Sequence, residues 1–166
     1  VGPTTEILDA LKPGTKLGIR GPYGNNYEVK GEKPLIIAGG SGAASLYPLV
    51  EAFIEKGIVP NFILGGRSSD QLLFEDELVD LLKEKLVIST DDGSLGYSGY
   101  ASGYAALLMA ENEYDQVYTC GPELMMAKIF YETENYKLPI QASLERYIKC
   151  AVGLCGNCVI GPYRVC

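Results

Sequence analysis

The sequence predicts an α/β fold: a five-stranded parallel sheet with crossover helices, followed by a cysteine-bearing extension. Three observations predict it. Short apolar runs alternate with helical patterns from Lys33 to Ser143. Strands separated by helices pair in parallel, because the helix carries the chain back to the edge where the next strand must begin. The turn Gly39-Gly-Ser-Gly42 joins the first apolar run to the first long helix. Further turn-forming clusters stand at the exits of later runs, at Gly65-Gly66-Arg67, Thr90-Asp-Asp-Gly-Ser94 and Cys120-Gly121-Pro122.

Each element has its own warrant. Residues 5–11 place apolar side chains at Ile7, Leu8 and Leu11, a short helix that Gly14 would end. Residues 17–19 read as a short strand leading into the turn Gly21-Pro-Tyr-Gly24. One helix and one strand do not make a domain, so residues 1–30, opening on Val1, are expected to be the last piece of a preceding one. Residues 34–38 are apolar throughout, as a strand buried on both faces is. A helix over 43–56 follows, then a strand over 59–64. Residues 74–84 form a helix with Leu78, Leu81 and Leu82 on one face. A strand over 86–89, a helix over 102–110, a strand over 116–119, a helix over 123–131 and a strand over 140–143 complete the alternation. Residues 31–143 are thus the sheet domain, and 144–166 an extension after its last strand.

Composition narrows the function. The chain has 166 residues, 47% hydrophobic and 21% charged, which is enough for one ordinary core. A net charge of −7 argues against nucleic acid or an anionic membrane as partner. No apolar run has the length of a membrane span. There is no histidine, so serine–histidine triads, histidine metal sites and Rieske-type ligation are excluded within this chain. Five cysteines without a secretory signal fit a reducing compartment, with the cytoplasm as the default.

Four of those cysteines fall in the last seventeen residues. Cys150, Cys155 and Cys158 follow the C-x4-C-x2-C spacing of plant-type [2Fe–2S] sites, and Cys166 supplies a fourth thiol. Gly153 and Gly156 lie between them, where a backbone wrapping sulfur has no room for Cβ atoms. Two alternatives stand beside iron–sulfur ligation. Disulfides suit secreted chains. Four-cysteine zinc sites usually show two C-x2-C pairs, and this chain has one.

The sheet motifs carry weaker signals. Gly39, Gly40 and Gly42 could turn backbone N–H groups toward a phosphate at the start of a helix, or could serve the turn alone; the G-x-G-x-x-G fingerprint is absent. Cys120, Gly121 and Pro122 stand at the carboxyl end of the fourth strand, where open α/β sheets bind ligands. A cysteine there is otherwise a packing residue. Asp91 and Asp92 could accept ribose hydroxyls and repel a 2′-phosphate, favouring NAD over NADP, or form a solvated turn. Arg67 is either a surface residue or a phosphate or ribose contact.

Taken in order, these stretches resemble the ferredoxin–NADP reductase superfamily: Gly21-Pro-Tyr-Gly24; residues 38–44 with Pro48; Asp91-Asp-Gly-Ser with Gly96 and Gly99; and residues 120–126. The tail, from Ser143-Leu-Glu-Arg-Tyr-Ile-Lys-Cys150 through Cys158, is similar to the electron-transfer subunits of NAD-dependent dihydroorotate dehydrogenase. The resemblance implies a ferredoxin-reductase-like NAD-binding domain whose FAD-binding β-barrel is mostly missing here, so FAD is not expected to stay with this chain alone. It implies electrons passing from a separate FMN-containing catalytic subunit, which oxidises dihydroorotate in pyrimidine biosynthesis, through a [2Fe–2S] cluster and FAD to NAD⁺. Gly39, Gly40 and Gly42 would face the NAD pyrophosphate. Cys120, Gly121 and Pro122 would lie near the nicotinamide and flavin rings. Gly2 and Thr5 would touch the FAD pyrophosphate, and Cys150, Cys155, Cys158 and Cys166 would ligate the cluster. Ala38 and Ser45 depart from the glycine and proline usual there, and the Cys158-to-Cys166 gap is short. Two other readings are kept: a reductase subunit serving a hydrogenase or a ferredoxin-dependent transhydrogenase, and a zinc-stabilised nucleotide-binding module without redox activity.

Overall fold

The computed structural model describes residues 2–19 and 21–166. Its centre is β1 (Pro34–Gly39), in which all six residues are buried. β2 (Asn61–Gly66) and β3 (Leu86–Thr90) extend the sheet to one side, and β5 (Gln116–Cys120) and β6 (Ile140–Ser143) to the other. All pairings are parallel. A sixth strand, β4 (Tyr97–Ser98), pairs with the end of β3 through Ser89–Tyr97 and Thr90–Ser98. Two residues are too few to show alternation, so the predicted five strands become six.

The period-2 geometry of β1 divides the core in two. Ile36 and Ala38 pack with Leu46, Val50 and Phe53 of α2 (Ala43–Glu55) and Leu78 and Leu82 of α3 (Glu75–Leu82). Leu35 and Ile37 face the other way, against Ala101, Ala105 and Met109 of α4 (Ala101–Glu111) and Ile129 of α5 (Glu123–Tyr136). A strand covered by helices on both faces has no polar side, which is why its sequence is unbroken apolar. The chain moves outward from β1 through β2, β3 and β4, then returns to the opposite side of β1 with β5. The carboxyl ends of β1 and β5 therefore flank the point where strand order reverses, the place at which such sheets open a crevice.

Other boundaries moved for local reasons. α3 starts at Glu75 because Phe74 is left-handed, at φ 60°. α5 runs on to Tyr136 and ends where Lys137 turns left-handed, at φ 54°. α1 (Pro3–Asp9) starts two residues before the predicted helix. Residues 17–19 are not a strand: Leu17 and Ile19 are exposed, Ile19 at 91%, and they have no sheet partner among the described residues. After β6 the chain forms an irregular loop and a small hairpin, β7 (Val159–Ile160) with β8 (Tyr163–Arg164). No helix among the described residues is long and apolar enough to cross a membrane.

Residues 27–33 are stitched along the sheet. The Tyr118 hydroxyl accepts the Lys30 N–H at 2.8 Å and donates to the Glu28 carbonyl at 2.7 Å. Gln141 exchanges two bonds with the Glu28 backbone. The Asp115 carboxylate accepts the Glu32 and Lys33 N–H groups.

Candidate functional site

A cleft of about 670 Å³ opens over the carboxyl ends of the strands. Gly39, Gly40, Gly42, Arg67, Asp91, Cys120, Gly121 and Pro122 all line it. The sheet brings these residues together because every β-to-α turn of a parallel sheet leaves from the same edge.

The glycines have different jobs. Gly42 has ordinary helical φ (−60°), yet a Cβ there would sit 2.2 Å from the Cys120 carbonyl oxygen. Its reason for being glycine is the close approach of the β1 turn to the end of β5. Gly40 stands at φ 53° with nothing within 4 Å of its would-be Cβ. It faces open space and is glycine for backbone conformation.

The two aspartates separate. Asp91 lines the cleft, its backbone N–H bonded to the Gly66 carbonyl at 3.0 Å. Asp92 is not part of the lining: its Oδ1 accepts the Ser94 N–H at 2.9 Å. The Ser94 hydroxyl and N–H hold the Asp92 carboxyl below its ordinary range. Tyr100, Met125, Lys128 and Glu145 also line the cleft. Met125 and Glu145 fall within residues 120–126 and 143–150, already singled out in the sequence, whereas no local motif marks Tyr100 and Lys128.

Cys120 is buried at 6% exposure and meets the Tyr27 hydroxyl from the other side. That hydroxyl donates to the Thr119 carbonyl at 3.3 Å and has Ser45 and Ser143 as side-chain neighbours. Burial, more than any neighbour, pushes the Tyr27 phenol up to about 12. Tyr27, Ser45 and Ser143 belong to a second cleft of about 680 Å³, bounded by residues 25–29, α2, the end of β6 and the hairpin. Tyr27 and Cys120 thus form a wall between two clefts. Thr119 Oγ1 is buried without a hydrogen-bond partner among the described residues.

The terminal loop starts beside this wall, because Ser143 is in register with Cys120. Positive φ at Ala151, Gly153 and Gly156 curls the backbone. Arg164 clamps the hairpin to the curl by donating to the Gly153 carbonyl at 2.6 Å, and the Asn157 amide bonds the Tyr147 carbonyl. The curl aims N–H groups at sulfur. Cys150 Sγ accepts from Leu154 and Cys155 at 3.4 and 3.5 Å, and Cys158 Sγ accepts from Cys166 at 3.4 Å. The Val152, Cys155 and Leu154 N–H groups lower the Cys150 thiol to about 6. The Cys166 N–H likewise lowers Cys158, while contact with the Cys158 side chain raises Cys166.

All five cysteines are free thiols. The Cys155 thiol neighbours Cys150 and the Cys166 thiol neighbours Cys158, and Cys166 also feels the charge of Cys150. No three possible metal ligands are gathered at one point among the described residues.

Gly2 and Thr5 stand apart from both clefts. The Gly2 N–H donates to Thr5 Oγ1, which donates back to the Gly2 carbonyl, both at 2.8 Å. α1 buries none of its residues.

Comparison with known proteins places these features in context. The oxidoreductase NAD-binding domain model matches residues 36–130. The chain is 41% identical over its whole length to the probable dihydroorotate dehydrogenase B (NAD(+)) electron transfer subunit of Methanocaldococcus jannaschii, of which it spans 64%. The protein of the same name from Thermococcus kodakarensis is 42% identical, with 69% of its length covered. That from Methanopyrus kandleri is 38% identical over 97% of this chain and 61% of its own length. The chain thus spans about three-fifths to two-thirds of these relatives. Among solved structures, a chain of an NADH-dependent reduced ferredoxin–NADP oxidoreductase superposes with a TM-score of 0.80 at 33% identity, over 95% of this chain and 57% of that one. The C-terminal domain of a Pyrococcus furiosus hydrogenase shares the fold, with a TM-score of 0.59 at 17% identity over 74% and 99% of the two chains.

Proposed function

Since the chain belongs to the family of dihydroorotate dehydrogenase B electron-transfer subunits, we propose that it links a dihydroorotate-oxidising subunit to NAD⁺. In this reading residues 31–143 bind the nucleotide, residues 144–166 hold a [2Fe–2S] cluster, and residues 1–30 complete a flavin-binding unit. The partner is the FMN-containing catalytic subunit, and the setting is cytoplasmic pyrimidine synthesis. The observation that carries the reading is the adjacency of two kinds of site. A four-thiol loop leaves the sheet at Ser143, in register with Cys120 in the wall of the nucleotide cleft.

The donor set fits the cluster. Four thiols match its ligand number, and two of them, Cys150 and Cys158, already accept backbone N–H bonds that favour the thiolate. When bound, a cluster and a flavin together would supply the exchange between single electrons and a hydride that NAD⁺ reduction requires.

The chain's own residues do the positioning. Gly42 lets the β1 turn lie against β5, and Gly40 keeps the cleft floor open to a pyrophosphate. Asp91 offers a carboxylate to ribose hydroxyls and opposes a 2′-phosphate. Cys120 and Tyr27 separate the nucleotide cleft from the second cleft. Tyr27, Ser45, Gln141 and Ser143 line that second cleft with uncharged hydrogen-bonding groups, chemistry suited to a flavin ring.

The test is iron and acid-labile sulfide analysis of the full-length protein under anaerobic conditions, together with NAD⁺ reduction by dihydroorotate in the presence of the catalytic subunit. Two irons per chain and coupled turnover support the reading; a colourless protein holding zinc would overturn it. A second reading changes only the electron donor. The TM-score of 0.80 to a ferredoxin–NADP oxidoreductase chain favours reduced ferredoxin. NAD⁺ reduction that depends on ferredoxin and not on dihydroorotate would select it.

A further inference from the structure

We propose that Lys128 is a phosphate-binding residue of the nucleotide cleft, resting over the Tyr100 ring until a dinucleotide pyrophosphate draws it away. The proposal rests on the reading that this cleft takes a pyridine nucleotide, and it adds a residue that no sequence motif marks.

The charge balance of the cleft is the first argument. A dinucleotide brings two negative phosphates to a chain of net charge −7. The ionic side chains lining the cleft are Arg67 and Lys128 against Asp91 and Glu145, which leaves no surplus of positive charge. Backbone N–H groups near the Gly39–Gly42 turn can offset part of the phosphate charge. Asp91 stands near Arg67, since both follow neighbouring strands and the Asp92 N–H bonds the Arg67 carbonyl at 3.1 Å. Lys128, on α5, is the cation on another wall of the cleft.

The second argument is where Lys128 is held. Its Nζ lies 5.3 Å from the centroid of the Tyr100 ring, and both residues line the cleft. Tyr100 is the residue just before α4, and Lys128 is in the second turn of α5, so the pair spans two adjacent helices at the mouth of the cleft. Lys128 makes no salt bridge among the described residues. A lysine on a flexible four-carbon stem gives up rotamer freedom when it is kept in one place, so keeping it there takes a favourable contact. The ring supplies that hold, and an exposed cation–π contact is weak enough to yield to a charge-assisted bond with phosphate. The same movement uncovers the Tyr100 ring, which is 64% exposed, at the mouth of the cleft.

The test is isothermal titration calorimetry of the full chain with NAD⁺, ADP and adenosine. Lys128→Gln is expected to weaken NAD⁺ and ADP about tenfold or somewhat more, the lower end of the worth of one hydrogen bond to a charged group. Adenosine, which has no phosphate, should change less than about twofold, and the difference for ADP should shrink at about 1 M salt, where screening acts within a few ångströms. Lys128→Arg should keep ADP affinity within about twofold, which guards against a variant that is merely misfolded. Unchanged ADP affinity in Lys128→Gln, an equal loss for adenosine, or a full loss in Lys128→Arg would each overturn the proposal. Failure of the unmodified chain to bind any of the three compounds would instead remove the nucleotide reading on which it stands.

Discussion

Replacing Gly42 with alanine tests the site through its tightest point. The added Cβ would lie 2.2 Å from the Cys120 carbonyl oxygen, 2.5 Å from its carbon and 2.9 Å from the Gly121 nitrogen. All three are backbone atoms, and Cys120 is held in β5 by its pairing with both β1 and β6. No side chain can swing aside, so the β1 turn and the end of β5 must separate. Overpacking of this kind costs about 3 kcal/mol at the upper end of its usual range. For a chain of this size that corresponds to a Tm lowered by about 6–12 °C. Gly40→Ala is the matched control. Its Cβ meets nothing within 4 Å, so only the left-handed backbone at φ 53° is strained. That costs about 1 kcal/mol, or about 2–4 °C. Thermal unfolding by circular dichroism measures both. Equal Tm values, or a larger loss in Gly40→Ala, would refute the argument that Gly42 is glycine for close approach. NAD⁺ titration adds a second readout, since parting the two turns reshapes the cleft they share.

Other expectations follow from single residues. The Tyr27 phenol, raised from 10.0 to about 12 in the fold, contributes stability that is whole below pH 10 and lost as pH climbs from 10 to 12. Tyr27→Phe should therefore flatten the fall in Tm over that window, and absorbance titration should lose its highest tyrosinate transition; a titration identical to the unmodified protein counts against the buried phenol. Asp91→Ala should relax discrimination against NADP by several-fold, whereas Asp92→Ala should act on the Ser94 turn with little change in coenzyme preference. Steady-state kinetics of the full-length protein separate the two, and the reverse order would reassign the ribose contact. Cys155→Ser should abolish visible iron–sulfur absorption while NAD⁺ affinity stays within about twofold, because the tail thiols and the nucleotide cleft use different residues. Retention of two irons and full colour would remove Cys155 from the ligand set.

What could be read from the chain before it folded was whatever repeats locally. An unbroken apolar run marked β1, because a strand covered on both faces needs no polar side, and shorter apolar runs marked β2 and β5. The turn residues after those strands marked a shared edge, since parallel strands all end in one direction. The spacing of Cys150, Cys155 and Cys158 marked a thiol loop, since a short loop is itself a local object. Tertiary structure decided the rest. β4 exists only because β3 is there to pair with it. Which of two adjacent aspartates faces the cleft depends on how the Thr90–Ser94 turn is tied to Gly66 and Arg67 across the sheet. The wall between the clefts joins Tyr27 to Cys120, and the cleft mouth joins Tyr100 to Lys128. Such pairs have no period and no motif, because residues distant in sequence meet only after sheet order and helix packing have brought them together.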